Sequence, residues 1–199
     1  MSPRFDPKRK QPATLKQQMV RLVLAVARKA KVKMAIGGGI AVASRGYVRE
    51  TRDVDAFFHE KDRQKVLRAL TQLASDWKVE AFDRSHWVAI PPGARTIEER
   101  IDFLFAEGDP EESAIEMASS ADYEGQDIPA FTTDWIVVSK FLATRDEPKD
   151  ALDILALYQR GGFDVKDVVK RLRQMGMKED AARFPVFLEK LRNLKRRDD

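Results

Sequence analysis

Residues 36–58 read IGGGIAVASRGYVRETRDVDAFF, and the interpretation of the whole chain starts from this stretch. A glycine triplet lies near its start, and glycines let a backbone approach a ligand closely because they lack a Cβ atom. A glycine-rich turn between a strand and a helix can also direct N–H groups at an anion. The spacing matches neither GxGxxG nor GxxxxGK[ST], which disfavours a dinucleotide fold and a P-loop. Alone, the triplet is a weak signal, and tight packing or a turn is the alternative to phosphate binding.

Two aspartates, Asp53 and Asp55, begin the apolar run at the end of this stretch. Residues i and i+2 of a strand share a face, so a strand over residues 53–58 places both carboxylates on one side. Neighbouring carboxylates repel each other unless a cation compensates them, and Mg²⁺ prefers hard oxygen ligands. The pattern therefore indicates a site for a divalent metal. The alternative is a strand end whose aspartates face solvent or form salt bridges with Arg49 and Arg52.

A third acidic residue, Asp102, lies in the apolar segment RIDFLFA of residues 100–106. An aspartate in such a strand needs a partner if it is buried. If this strand lies beside residues 53–58, Asp102 completes a cluster of three carboxylates, and such a cluster can hold two metals about 3.5–4 Å apart. The alternative is an aspartate on the solvent face of an edge strand.

Composition limits the possible classes of protein. The 199 residues fit one domain, or one catalytic domain with a helical extension. The chain has no cysteine, which excludes disulfides and Cys-based zinc or iron–sulfur sites, and the presence of only two histidines argues against a His-rich metal site. The net charge of +4 permits an anionic partner without demanding one. No apolar run approaches the roughly 18 residues that span a membrane, and the basic N-terminus lacks a secretory h-region. We therefore expect a soluble cytoplasmic protein.

Apolar periodicity predicts an α+β fold in which a small mixed β-sheet, flanked by helices, precedes a C-terminal helical bundle. The predicted strands are residues 33–36, 53–58, 77–82, 86–90 and 100–106. The predicted helices of the first part are residues 15–30, 41–45, 62–74 and 110–121, with an extended connection at 125–131. Four further helices are predicted at 133–144, 148–160, 164–175 and 178–194. The corresponding division is a flexible basic arm (1–14), an α/β core (15–131), a helical domain (132–194) and a flexible tail (195–199).

Together these motifs resemble the polymerase-β-type nucleotidyltransferase superfamily, whose first motif is a glycine pair, a small helix, an Arg-x-Thr-x-Asp-x-Asp segment and a strand. The chain is most similar to the bacterial AbiEii-like branch, the nucleotidyltransferase toxins of abortive-infection and toxin–antitoxin systems. The family's third carboxylate, on a later strand, corresponds to Asp102. The family's helical half carries a lysine and then a Lys-Asp-x-x-Asp segment. In this chain DWIVVSKFLATRDEPKDALDIL supplies these residues as Lys140, Lys149, Asp150 and Asp153.

The resemblance implies a polymerase-β-like core and a phosphate-binding role for residues of the first motif. Gly38 and Gly39 would contact the terminal phosphates of a nucleoside triphosphate such as ATP. Three further residues would lie near the nucleotide: Ser44, Arg49 and Thr51.

The resemblance also implies roles for the acidic residues and for the helical half. Asp53 and Asp55 would hold Mg²⁺, and Asp102 would hold a second metal or activate the acceptor hydroxyl. Lys140 would reach the triphosphate. The base, ribose or acceptor would be positioned by Lys149, Asp150 and Asp153. The residues alone leave open that this last trio only stabilises the first turn of its helix.

The implied reaction is metal-dependent transfer of a nucleoside monophosphate from an NTP to a hydroxyl, with release of pyrophosphate. The acceptor could be an RNA end, a protein side chain or a small molecule, and the basic isoelectric point weakly favours RNA. A toxin of this branch would have a cognate antitoxin as a partner. Two alternatives stay open: an aminoglycoside-type small-molecule nucleotidyltransferase, and a non-catalytic nucleotide-binding or interaction protein.

Overall fold

The computed structural model describes residues 13–108, 110–144 and 148–198. Most of the predicted N-terminal arm lies outside this part of the chain. The last helix continues through Asp198, past the predicted start of a tail at residue 195. The division into a core and a helical domain at residue 131 stays a prediction.

Seven strands form one mixed sheet in the order β3-β4-β5-β2-β1-β7-β6. The strands are β1 (Met34–Ile36), β2 (Val54–His59), β3 (Lys78–Ala81), β4 (His86–Ile90), β5 (Ile101–Ala106), β6 (Ser119–Tyr123) and β7 (Gln126–Ala130). The pairs β2–β5 and β1–β7 are parallel, and the other neighbours are antiparallel. The predicted α+β class with a mixed sheet is confirmed.

Eight α-helices accompany the sheet in the described ranges. They are α1 (Leu15–Ala30), α2 (Gly38–Ser44), α3 (Arg63–Leu73), α4 (Glu111–Glu116), α5 (Thr133–Ala143), α6 (Pro148–Gln159), α7 (Val165–Gln174) and α8 (Lys178–Asp198). The start of α1 shows how local sequence sets these bounds. Thr14 and Gln17 form a reciprocal capping box there, which satisfies backbone N–H groups that a helix start leaves unpaired. None of the helices in these ranges combines the length and apolar character needed to cross a membrane.

Side chains along β2 alternate between an apolar face of the sheet and a face that carries polar groups. Val54, Ala56 and Phe58 are fully buried in the apolar core, to which α1 and α3 also contribute. Asp55 and Phe57 alternate with them, so their side chains lie on the opposite face. The acidic residues are therefore held on a strand whose other side is anchored in the core.

The region after residue 110 corrects the sequence-based prediction. The helix predicted over residues 110–121 ends at Glu116, and the predicted connection at 125–131 is the strand β7, which pairs with β6 as a hairpin. Glu124 and Gly125 form its two-residue turn, with φ of 51° and 76°. Positive φ at both positions is typical of the type I′ turn, which is usually signalled by Asn-Gly or Asp-Gly. Glu is rare at such a position, so the residues here carry no hairpin signal.

The four C-terminal helices pack mainly through apolar and aromatic side chains, as predicted for a helical bundle. The Phe141 ring on α5 lies edge-on against that of Phe184 on α8, with centroids 5.2 Å apart. Helix α5 contacts α6 and α7 and also α2, the short helix that follows the glycine triplet. Helix α2 also contacts β2, so it links α5 to the strand that begins beside Asp53.

Candidate active site

The glycine triplet packs directly against the acidic strand. The Gly37 N–H group donates to the Asp55 carbonyl oxygen at 2.9 Å. Gly38 has a φ of 55°, and a Cβ atom there would lie 1.6 Å from Asp55 Oδ2. A Cβ atom on Gly39 would lie 2.5 Å from Thr51 Oγ1. Only glycine fits these two positions, because any side chain would displace the polar groups beside it.

The structure brings the three predicted carboxylates together. In the parallel pairing of β2 and β5, Asp55 lies directly opposite Asp102. Asp53 immediately precedes β2, and one carboxylate oxygen from each of the three residues lies within 4.8 Å of the other two. The predicted proximity of Asp102 to the aspartate pair is confirmed. We call these three residues the carboxylate triad.

The carboxylates of the triad repel one another, and Asp55 shows this most clearly. Burial, followed by the charges of Asp53 and Asp102, raises the pKa of Asp55 to about 7, against opposing effects of Lys140 and Arg100. Asp53 Oδ1 accepts a hydrogen bond from Thr51 Oγ1 at 2.8 Å. A divalent cation would remove this repulsion, and three carboxylates are a hard-oxygen donor set that suits Mg²⁺. The residues present therefore fit the metal that the family resemblance implies.

The alternative in which neighbouring arginines neutralise the aspartate pair is wrong for this structure. Arg52 forms ion pairs with Glu50 and Glu98. Arg49 instead binds Asp153 on α6.

Two partners of Asp102 were not predicted from the sequence. Asp102 is 4% exposed, and its Oδ1 lies 2.6 Å from His86 Nε2 while its Oδ2 accepts from Arg100 Nε at 3.1 Å. His86 is opposite Leu104 in the β4–β5 pairing, so it reaches Asp102 diagonally across the two strands. His86 is identified as a partner of Asp102 only by the register of the β4–β5 pairing, and the sequence alone does not give this register. The two contacts fix the orientation of the third carboxylate.

The predicted residues of the helical half form a compact ion-pair network. Lys140 is 7% exposed, and its Nζ lies 2.5 Å from Asp150 Oδ1 and 2.8 Å from Asp153 Oδ2. Arg49 donates two hydrogen bonds to Asp153, from Nε at 2.7 Å and from an Nη at 2.8 Å. Burial alone would raise the pKa of Asp153, but the hydrogen bonds from Arg49 and Lys140 outweigh it and lower that pKa. We call Arg49, Lys140, Asp150 and Asp153 the ion-pair network.

A cleft of about 560 Å³ lies between the triad and the network. Its lining includes Gly38, Gly39, Arg49, Thr51, Asp53, Asp55, Lys140, Lys149 and Asp150, all predicted as site residues. The other lining residues are Glu50, Arg52, Phe57, Glu98, Ser139 and Ala143.

Three predicted residues lie outside the lining of this cleft. Asp102 is buried opposite Asp55 on the neighbouring strand, and Asp153 is fully buried within the ion-pair network. The Ser44 hydroxyl donates to the Ala41 carbonyl within its own helix. A larger cleft of about 800 Å³ lies apart from the carboxylates and is lined by Trp135 and Arg171, among others.

Several solved structures share the fold of this chain. The antibiotic-resistance factor ANT(2″)-Ia in solution aligns over 91% of each chain, with a TM-score of 0.52 and 20% identity. Its crystal form with adenylyl-2″-tobramycin aligns over 92% of this chain and 99% of that chain, with a TM-score of 0.52 and 18% identity. The alignment with a protein from H. pylori described as a nucleotidyltransferase covers 92% of this chain and 96% of that chain, with a TM-score of 0.50 and 16% identity. At these identities the similarity establishes the fold alone.

A family model supplies the classification. A sequence search against curated proteins finds no match. The model for the nucleotidyl transferase AbiEii toxin of type IV toxin–antitoxin systems matches residues 21–199, which include the glycine triplet, the carboxylate triad and the ion-pair network. A match over most of the chain, together with the nucleotidyltransferase fold, shows that this protein belongs to the AbiEii nucleotidyltransferase family.

Proposed function

We propose that this protein transfers a nucleoside monophosphate from an NTP to a hydroxyl acceptor, with Mg²⁺ at the carboxylate triad and release of pyrophosphate. The observation that carries the proposal is the triad itself, in which one oxygen from each of three carboxylates lies within 4.8 Å of the other two beside a cleft. When bound, the metal supplies charge neutralisation and Lewis-acid activation for phosphoryl transfer. Most of the rate enhancement then comes from positioning and from fixed charges.

The triad residues have distinct parts in this proposal. Asp53 and Asp55 face the cleft and hold the metal. Asp102 holds a second ion or accepts the proton of the acceptor hydroxyl, in an orientation fixed by His86 and Arg100.

The nucleotide would lie in the cleft with its phosphates toward the glycine turn. Gly38 and Gly39 allow the triphosphate to approach the backbone, and Ser44 and Thr51 would lie nearby. Arg49 and Lys140 border the same cleft and would contact the phosphates.

The opposite wall of the cleft would hold the rest of the nucleotide or the acceptor. Lys149 and Asp150 line this wall, and Asp153 lies directly behind them on the same helix. Their position supports a role in orienting the base, the ribose or the acceptor.

An RNA end is the acceptor that we propose, because the protein carries a net charge of +4 and belongs to a toxin family. A cognate antitoxin would then be its protein partner. The second candidate is a small-molecule acceptor of the aminoglycoside type. The supporting observation is the fold shared with ANT(2″)-Ia over 91% of both chains.

The test is transfer of label from each of the four α-labelled NTPs in the presence of Mg²⁺, with total RNA or with an aminoglycoside panel as acceptor. We expect RNA to be labelled, and we expect Asp53→Asn with Asp55→Asn to reduce the rate at least about 1,000-fold, since metal assistance supplies several kcal/mol. Asp76→Asn is the matched control, because it removes an exposed carboxylate outside the cleft.

Two results would contradict the proposed reaction. Labelling of the drug panel alone would establish the small-molecule alternative. NTP binding by both the wild type and the double variant, without transfer to any acceptor, would establish a non-catalytic nucleotide-binding protein.

A further inference from the structure

Phe82 is an aromatic side chain at the end of β3 that is 77% exposed. Single exposed apolar residues are common on protein surfaces, so exposure alone says little. Its position is more informative. The Phe82 N–H group donates to the His86 carbonyl at 2.9 Å, which continues the β3–β4 pairing and sets the two side chains on the same face of the sheet.

Phe82 is linked to the carboxylate triad through a single side chain. The ring centroids of Phe82 and His86 lie 5.2 Å apart with an interplanar angle of 45°. The Nε2 atom of that histidine lies 2.6 Å from Asp102 Oδ1. One imidazole therefore separates an exposed aromatic face from the third carboxylate.

The turn after Phe82 is held in place by its own hydrogen bonds. Asp83 Oδ1 accepts from the N–H groups of Ser85 and His86 at 2.7 and 2.8 Å. The next residue, Arg84, has a side chain that is 75% exposed and lies 3.8 Å from Glu60, a loose pairing. The hairpin thus presents an aromatic face and a cation from a fixed turn.

We propose that Phe82, supported by His86, is the acceptor subsite, on which the 3′-terminal base of a single-stranded RNA stacks, while Arg84 contacts a backbone phosphate. Bases of single-stranded RNA are recognised by stacking on aromatic side chains, and this contact tolerates different base identities. The subsite rests on the proposed nucleotidyl transfer, because it places the terminal ribose hydroxyl toward Asp102. It lies on the β4–β5 side of the triad, away from the glycine turn that would receive the NTP.

The first test is binding of the full chain to a short, unstructured, 5′-fluorescein-labelled RNA, followed by fluorescence anisotropy without NTP. A second RNA lacks only its 3′-terminal base. We expect Phe82→Ala to weaken binding of the intact RNA roughly 5- to 150-fold, the range for loss of one stacked base. Phe82→Tyr should restore affinity. The abasic RNA should bind the wild type and Phe82→Ala equally well, because the stacking contact is already absent.

The second test uses salt dependence and transfer. Arg84→Gln should reduce the slope of log affinity against log salt by about 0.7, the value for one phosphate contact on a single strand. Phe82→Ala should raise the KM for RNA in the transfer assay and leave the affinity for a non-hydrolysable NTP unchanged. Val186→Ala, which truncates another exposed apolar side chain on α8, should change none of these quantities.

The outcomes separate this inference from the proposed reaction. The subsite would be overturned, even if transfer occurs, by unchanged RNA affinity in Phe82→Ala. It would also be overturned if loss of the 3′-terminal base weakened RNA binding equally in the wild type and in Phe82→Ala. Either result would leave the hairpin as a surface for a protein partner. Base-dependent binding lost in Phe82→Ala would support the subsite even if the wild type transfers no label. We expect Phe82→Ala and Arg84→Gln to leave the thermal midpoint of unfolding unchanged, since both side chains are exposed.

Discussion

The carboxylate triad and the ion-pair network are two clusters of charge on opposite sides of one cleft, and they differ in how that charge is balanced. The network pairs two aspartates with a lysine and an arginine, all at hydrogen-bond distances. The triad brings together three aspartates, and the pKa of Asp55 rises to about 7. A balanced cluster stabilises the fold as it stands, whereas an unbalanced one stores repulsion that a bound cation can relieve. The two clusters should therefore respond in opposite ways to the removal of one carboxylate charge.

The largest expected effect is loss of the central carboxylate of the network. Asp153→Asn should lower the free energy of unfolding by about 3–5 kcal/mol, because it leaves Arg49 and the buried Lys140 without their shared partner. Urea denaturation measures this change. Asp180→Asn breaks a surface pair with Arg183 and should cost less than about 1 kcal/mol. Equal effects of the two substitutions would show that the network is not structural.

Gly38→Ala should have the next largest effect. The residue has a positive φ, and the new Cβ atom would meet Asp55 Oδ2 at 1.6 Å, so the carboxylate must move. Backbone strain and overpacking together should cost about 2–4 kcal/mol and abolish stabilisation by Mg²⁺, which thermal melts with and without the metal measure. Gly93→Ala is the control, since Gly93 shares the positive φ but a Cβ atom there would meet nothing within 4 Å. It should therefore lose only about 1–2 kcal/mol.

Asp55→Asn should raise the free energy of unfolding, whereas Asp153→Asn should lower it. Without metal, removal of one charge from the triad should raise the free energy of unfolding by about 1–3 kcal/mol at pH 8. Addition of Mg²⁺ should then give the variant much less thermal stabilisation than the wild type. Differential scanning fluorimetry with and without Mg²⁺ checks both parts. A destabilised variant that still responds to Mg²⁺ would mean that the triad is not under electrostatic strain.

The pH dependence should be the smallest of these effects. Between its ordinary pKa of 3.8 and its folded pKa of about 7, Asp55 binds its proton more tightly in the folded state. Metal-free stability should therefore fall as pH rises through this window, by about 1–2 kcal/mol from pH 5 to pH 7, and level off above it. Mg²⁺ should stabilise more at pH 8 than at pH 5.5, because proton and metal compete for one carboxylate. Asp55→Asn should lack this component of the slope in denaturation curves.

The sequence predicted the triad better than it predicted the surroundings of the triad. Alternation along β2 put Asp53 and Asp55 on one side, and a buried acidic position in β5 required a partner, so pairing of the two strands was enough to assemble the cluster. The partners of Asp102 depend instead on the diagonal register between β4 and β5, which places His86 within reach. The periodicity of a strand predicts which of its residues share a face, but it does not predict how the strand is aligned with its neighbour.

Two further features were missed for different reasons. The β6–β7 hairpin turns on Glu124 at positive φ, a position at which Glu gives no turn signal. The pair of Arg49 with Asp153 joins a loop before β2 to α6, and charge pairing at that separation follows from the tertiary fold. Proximity along the chain suggested only an alternative, a salt bridge between Arg49 and the nearby aspartates.

The order in which the ribosome makes the chain gives the parallel pairing of β2 with β5 a biological consequence. Asp55 is synthesised well before Asp102, and the two become neighbours only when β5 has left the ribosome and joined the sheet. A parallel pair between distant segments forms slowly, because a long loop must close first. Until then, an emerging chain lacks the complete carboxylate triad, the site that we propose for Mg²⁺. If the triad acts as proposed, the reaction cannot begin until β5 has emerged and paired with β2.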